Sequence, residues 1–229
     1  MHRNYWLIGL VLLLGITGCS TAAISPQGTP SATGDDSFAS LPAPTSTTKL
    51  ASSLTALFQQ YLSDPGKFGV SDLEKQVLQR SITSGKISAG DYEQVFSAYE
   101  DCMTQHGITG VTWVKAPDGA YYPPAINHNV VSFSDDQWAA ADTACQANLF
   151  AVQQCYITQQ DNPDLLADQF QVVVACLRRN GFVDASYTPD EFQYQLLHYS
   201  GQGSFPFDPF DPVASACMAS QGFVFGNGS

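Results

Sequence analysis

Beyond residue 49, apolar residues recur at helical spacing through most of the chain, and polar capping residues mark where each run begins. Leu50, Leu54, Leu57, Phe58, Tyr61 and Leu62 share one face of a first helix, which Asp64-Pro65-Gly66 ends. Ser71-Asp72-Leu73-Glu74 has the form of a capping box, in which a serine hydroxyl and a carboxylate three residues on satisfy each other's backbone N–H groups. It opens a second helix with Leu73, Val77, Leu78 and Ile82 inward, closing near Gly85. Ser88 caps a third, in which Tyr92, Val95, Phe96, Tyr99, Cys102 and Met103 form one stripe and His106-Gly107 finish it.

The period then changes. Gly110 to Lys115 and Ala120 to Tyr122 read as strands around the turn Pro117-Asp118-Gly119, with Asn129 to Phe133 as a third strand. A second capping box, Ser134-Asp135-Asp136-Gln137, starts a helix with Trp138, Ala141, Cys145 and Leu149 on one face. Asn162-Pro163 is expected to open the helix carrying Leu166, Phe170, Val173, Val174 and Leu177, with Cys176 beside that stripe and Arg178-Arg179-Asn180-Gly181 at its end. Thr188-Pro189-Asp190-Glu191 caps a short helix with Phe192 and Leu196 inward, Ser200 to Phe210 is irregular, and Asp211-Pro212 opens a last helix running to Cys217 and Gly222. The fold class predicted is mainly α with a small β-hairpin, α+β being the alternative.

A cysteine with a glycine five residues on occurs three times, at Cys102/Gly107, Cys176/Gly181 and Cys217/Gly222. Cys102 to Cys145 is 43 positions and Cys176 to Cys217 is 41, and Phe96 and Phe170 each stand six residues before the first cysteine of a pair. The pattern reads as one disulfide-closed unit used twice, in halves spanning residues 86–150 and 163–225. It favours Cys102 with Cys145 and Cys176 with Cys217, leaving Cys155 unpaired, while other connectivities of the five cysteines that follow Cys19 stay open.

The N-terminal residues differ in kind. Arg3, an apolar run from Tyr5 to Ile16 and then Ile16-Thr17-Gly18-Cys19 resemble a bacterial lipoprotein signal peptide with its lipobox. That run is shorter than the roughly 20 residues a membrane-spanning helix needs. The resemblance implies cleavage after residue 18, acyl chains such as palmitate on Cys19, and a protein held by them on the outer face of the cell membrane. From Ser20 to Thr48, 23 of 29 residues are Ser, Thr, Pro, Ala or Gly, too little apolar surface to offset the ordering of a backbone. Residues 19–48 therefore read as a disordered tether, with a root-mean-square span on the order of 30 Å, and residues 49–229 as the globular domain.

Charge narrows the partners. The chain has 9 Lys and Arg against 21 Asp and Glu, which argues against nucleic acid, whose phosphates require a concentrated basic surface. It equally disfavours electrostatic attraction to anionic lipid, so membrane attachment would rest on the anchor alone.

The order Ser71-Asp72-Leu73-Glu74, Gly85-Lys86-Ile87-Ser88, Asp91-Tyr92-Glu93, Tyr99 and Cys102, then Ala175-Cys176-Leu177 with Gly181-Phe182, Thr188-Pro189-Asp190-Glu191-Phe192 and Cys217, resembles a group of secreted actinobacterial cell-envelope lipoproteins of unknown function. The likeness covers roughly residues 70 to 220. It implies an extracytoplasmic location and a four-cysteine disulfide frame, and no catalytic residue. Where this chain carries Phe205, Phe207 and Phe210, that group usually has a tryptophan.

Chemical signatures are sparse. No C-x-x-C, G-x-S-x-G, H-E-x-x-H, P-loop or dinucleotide fingerprint occurs, and His106, His128 and His198 have no metal-ligand spacing, so neither a cofactor nor a metal is expected. Asp208 and Asp211 are too few for calcium, and Asp211 fits a helix N-cap better. Phe205, Phe207 and Phe210 are a candidate binding patch for an envelope protein or a glycan. The reading is a non-enzymatic binding or accessory lipoprotein. Its alternative is an envelope hydrolase with a non-standard histidine or carboxylate site, for which Asp91 with Glu93 or Asp190 with Glu191 are the nearest pairs.

Overall fold

The computed structural model describes residues 48–122, 131–201 and 203–225, which fall within one compact unit spanning Ser46–Ser229. The expected signal peptide, Cys19, all of the expected tether before Thr48, His128 and the first residues of the expected third strand lie outside the described residues.

Eight α-helices and one hairpin make up the described part: α1 (Leu54–Ser63), α2 (Asp72–Ser84), α3 (Ala89–Gln105), β1 (Val114–Lys115), β2 (Tyr121–Tyr122), α4 (Asp135–Cys145), α5 (Phe150–Asp161), α6 (Gln169–Arg179), α7 (Pro189–Leu197) and α8 (Pro212–Ala219). The fold is thus mainly α with a small antiparallel hairpin, as the periodicity predicts. Both capping boxes form, Ser71 with Glu74 and Ser134 with Gln137. Disulfides join Cys102 to Cys145, linking α3 to α4, and Cys176 to Cys217, linking α6 to α8, and Cys155 is free and buried. Gly107, Gly181 and Gly222, the three glycines that follow cysteines, all adopt the left-handed backbone that closes a helix, with φ of 84°, 77° and 80°.

Three elements depart from expectation. The hairpin is only two residues per strand, paired Val114 with Tyr122 and Lys115 with Tyr121, and residues 131–133 form no strand. Helix α5 has no amphipathic signature because Ala151, Val152, Cys155, Tyr156 and Ile157 are buried around much of its circumference. Helix α6 starts at Gln169 rather than at Asn162-Pro163. The Asn162 side chain instead bonds both the N–H and the carbonyl of Leu166, closing a turn, and Asp168 caps the helix by accepting from Gln171 N.

Two hydrophobic clusters result. The first gathers buried residues from Ala51 to Leu165, so it draws in α1, α2 and α5 as well as residues 86–150. The second gathers Val173 to Met218 from α6, α7 and α8. Each has a fully buried aromatic at its centre, Tyr92 and Phe192, and burying a side chain of that size stabilises a fold by roughly 1.5–3 kcal/mol. The first described residues are pinned too: Ala167 N bonds Thr48 O and Leu50 N bonds Leu165 O.

Candidate functional site

Stacked rings carry the hairpin to its place. The Tyr92 ring of α3 lies flat on Tyr156 of α5, 4.2 Å between centroids, and Phe96 stacks on Tyr121 at 3.9 Å. The Tyr92 hydroxyl accepts from Tyr121 N at 2.9 Å, and Gln153 Nε2 of α5 donates to Tyr121 O at 3.0 Å. At the turn, a Cβ on Gly119 would stand 2.9 Å from the Tyr156 hydroxyl, so only glycine lets the turn approach α5 this closely. The consequence is that Asp118 is held against the C-terminal end of α5.

Asp118 Oδ1 accepts from Ala120 N at 2.8 Å, and its Oδ2 from the Tyr122 hydroxyl at 2.9 Å. Facing it is Asp161, the last residue of α5, with only 7% of its surface exposed. Asp161 Oδ2 is buried and receives no N–H or O–H bond. Burial, then the charge of Asp118 and its hydrogen bond, push the Asp161 carboxyl up to about 8, against the opposing pull of Arg179 and Tyr122. Asp161 therefore holds its proton to higher pH than an ordinary aspartate, with Asp118 beside it.

The pair opens onto a cleft of about 280 Å³, whose other walls come from the end of α6, with Arg179 and Asn180, and from α8, with Val213 and Cys217. Arg179 donates to the Asp161 carbonyl at 2.6 Å, which ties α6 to the end of α5. Asp161 Oδ1 lies 3.9 Å from Cys176 Sγ, and Asn180 Nδ2 lies 3.7 Å from both sulfurs of the Cys176–Cys217 disulfide. The cleft thus brings two facing acids, a guanidinium, an amide and a disulfide to one place. Only Asp118 with Gly119 as a turn, and Arg179 with Asn180 as a helix end, were visible locally; their convergence requires α5, which periodicity misses.

The carboxylates singled out from sequence do not converge. Asp91 faces Arg80, which with Ser88 holds its carboxyl below the usual carboxylate range, and Glu93 pairs with Lys115 and Tyr121. Asp190 and Glu191 are exposed in the first turn of α7. The expected aromatic patch is corrected: Phe205 is buried, stacked between Phe192 and Phe207, while Phe207 packs edge-on against Phe182 and Tyr187. Only Phe210 of the three is exposed. The loop turns its rings inward because α6, α7 and α8 alone leave their shared core uncovered.

Asp211 caps α8 by accepting from Val213 N and Ala214 N, and Asp208 accepts from Phe210 N, so both carboxylates are engaged with backbone. The Cys102 and Cys145 sulfurs and a His106 ring nitrogen lie within 4.8 Å of one another. With the sulfurs joined to each other, they have no thiolate to offer a metal. Burial and the charge of Glu74 push the Cys155 thiol up, so it stays an inert core thiol.

No protein-family profile, no curated protein and no solved structure matches the chain. What the fold and site define is a helical domain stapled by two disulfides, with a cleft that carries groups of both signs.

Proposed function

We propose that the chain is a lipid-anchored lipoprotein on the outer face of the cell membrane, akin to secreted actinobacterial envelope lipoproteins, whose domain serves as a non-enzymatic binding module. The anchor rests on Ile16-Thr17-Gly18-Cys19 and the Ser/Thr/Pro-rich segment after it. No helix among the described residues is long and apolar enough to cross a membrane. The observation that supports binding is the cleft, where Asp118 and Asp161 stand opposite Arg179 and Asn180. Groups of both signs around one concavity suit a small ligand carrying a donor and an anionic group, such as an amino acid or a short wall peptide.

The anchor is tested by Cys19→Ala, which should prevent labelling with a palmitate analogue and release the protein from the membrane fraction; unchanged labelling rejects it. Binding is tested by thermal denaturation with alanine, glutamate and short cell-wall peptides as probes. A ligand at a hundred times its Kd raises stability by about 2.7 kcal/mol, and Arg179→Ala should abolish that rise. A rise that survives Arg179→Ala places the ligand elsewhere.

A second reading, an envelope hydrolase, is favoured by the Asp118–Asp161 pair, since two facing carboxyls, one of which burial makes hold its proton to higher pH, are the elements of general acid–base catalysis. Its test is hydrolysis of wall fragments that Asp118→Asn and Asp161→Asn each abolish.

A further inference from the structure

The two disulfides have different charged neighbours along the chain. Cys102 follows Glu100 and Asp101, and the charges of Asp101 and Glu93 add to burial in pushing the Glu100 carboxyl up, the mark of an electronegative neighbourhood. Cys176 precedes Arg178 and Arg179. Arg178 donates to the carbonyls of Ala185 and Tyr187, and Arg179 to that of Asp161, so both cations are fixed near that helix end. A thiolate is stabilised by neighbouring cations and disfavoured by neighbouring carboxylates.

Three further groups bear on the second disulfide. Cys217 lines the cleft, although the residue as a whole is only 1% exposed, so a small thiol has a route that a protein surface lacks. Asp161 Oδ1 is 3.9 Å from Cys176 Sγ, and the neighbouring Oδ2 is buried with no hydrogen-bond partner. Asn180 holds its amide nitrogen 3.7 Å from each sulfur. We propose that Cys176–Cys217 is an exchangeable disulfide, reduced by low-molecular-weight thiols that enter the cleft, with Asp161 as proton donor to the departing Cys176 sulfur.

The step balances as follows. The entering thiolate forms a bond to Cys217 Sγ while the Cys176–Cys217 bond breaks, and its electron pair leaves on Cys176 Sγ. That sulfur takes the proton from the Asp161 carboxyl, which becomes a carboxylate and is reprotonated from solvent. A second thiolate attacks the outer sulfur of the mixed disulfide, releasing a small-molecule disulfide and Cys217 as a thiolate that takes a solvent proton. Two thiols are oxidised to one disulfide, and the cystine is reduced to two thiols. The role of Asp161 is to lower the cost of expelling a buried sulfur, since an unprotonated thiolate there would be desolvated. The activity is independent of the envelope-binding reading, for it requires only that a thiol reach the cleft.

The experiment uses the full oxidised chain with graded reduced glutathione, quenched at intervals by an alkylating agent and mapped by mass spectrometry. Cys176 and Cys217 should open at least tenfold faster than Cys102 and Cys145, and faster than global unfolding followed by circular dichroism. The glutathione adduct should fall on Cys217. Asp161→Asn should slow reduction of Cys176–Cys217 about tenfold, leave the Cys102–Cys145 rate unchanged, and remove a downturn in the wild-type rate above about pH 8, where Asp161 loses its proton. Asp161→Glu should restore part of the rate. Should Asp161→Asn loosen the fold instead, both disulfides would open faster together, which overturns the proposal. Equal rates for the two disulfides in the wild type, or opening only at the rate of global unfolding, overturn it as well.

Discussion

Glu74 and Ala151, 77 positions apart, are joined by a 2.8 Å hydrogen bond that makes one carboxylate the cap of two helices. Glu74 Oε2 accepts from Ser71 N at 3.0 Å, completing the capping box of α2, while Oε1 accepts from Ala151 N and Val152 N at the start of α5. Leu149, at the N-cap position of α5, offers no side-chain bond of its own. A fully buried carboxylate is held there because three backbone N–H groups and the positive end of α5 replace water.

Glu74→Ala should therefore cost more than the loss of an ordinary cap. It strands buried donors at the heads of two helices, and about 3 kcal/mol or more is expected from the desolvation of those groups. Urea denaturation measures it. A loss below about 1 kcal/mol would mean that water enters and satisfies α5.

Phe205 and Phe210 should part company. Phe205→Ala removes a ring packed against Phe192, Tyr199 and Phe225 and should cost about 3 kcal/mol or more. Phe210→Ala, at an exposed site, should change stability by less than about 0.5 kcal/mol. Equal effects in chemical denaturation would place both rings in the same environment and contradict this packing.

Each disulfide closes a loop of about 40 residues, which restricts the unfolded chain enough to stabilise the fold by about 4 kcal/mol per bridge. That is a large part of a typical total of roughly 5–15 kcal/mol. Cys176→Ser and Cys217→Ser should each cost nearly as much as the double mutant. Non-reducing peptide mapping should find Cys102 with Cys145 and Cys176 with Cys217, and a bridge to Cys155 would refute the pairing.

Stability should fall as pH rises through about 8, and Asp161 is the cause. Its folded carboxyl binds its proton more tightly than the unfolded one, so its contribution is fully present below the ordinary aspartate value, near 3.8, and is lost as pH rises through about 8. Asp161→Asn should be flatter over that window and relatively more stable at its alkaline end. Thermal denaturation of both proteins from pH 4 to pH 9 checks it, and parallel profiles would show that Asp161 titrates normally.

Local chemistry determined much of this protein before any packing was known. Ser71, Ser88, Ser134, Thr188 and Asp211 announce helix starts because their side chains reach backbone only two or three residues away. The cysteine spacing carried the disulfide frame because the separations of the two joined pairs, 43 and 41, are nearly equal. Tertiary structure decided the rest. Helix α5 has no sequence period because neighbours cover it on nearly all sides, and without α5 nothing brings Asp118 to Asp161. Likewise, the phenylalanines of residues 205–210 have the same composition whether they form a surface patch or a core lid. Which they are depends on the apolar area left open by α6, α7 and α8, a quantity that exists only once those helices have packed.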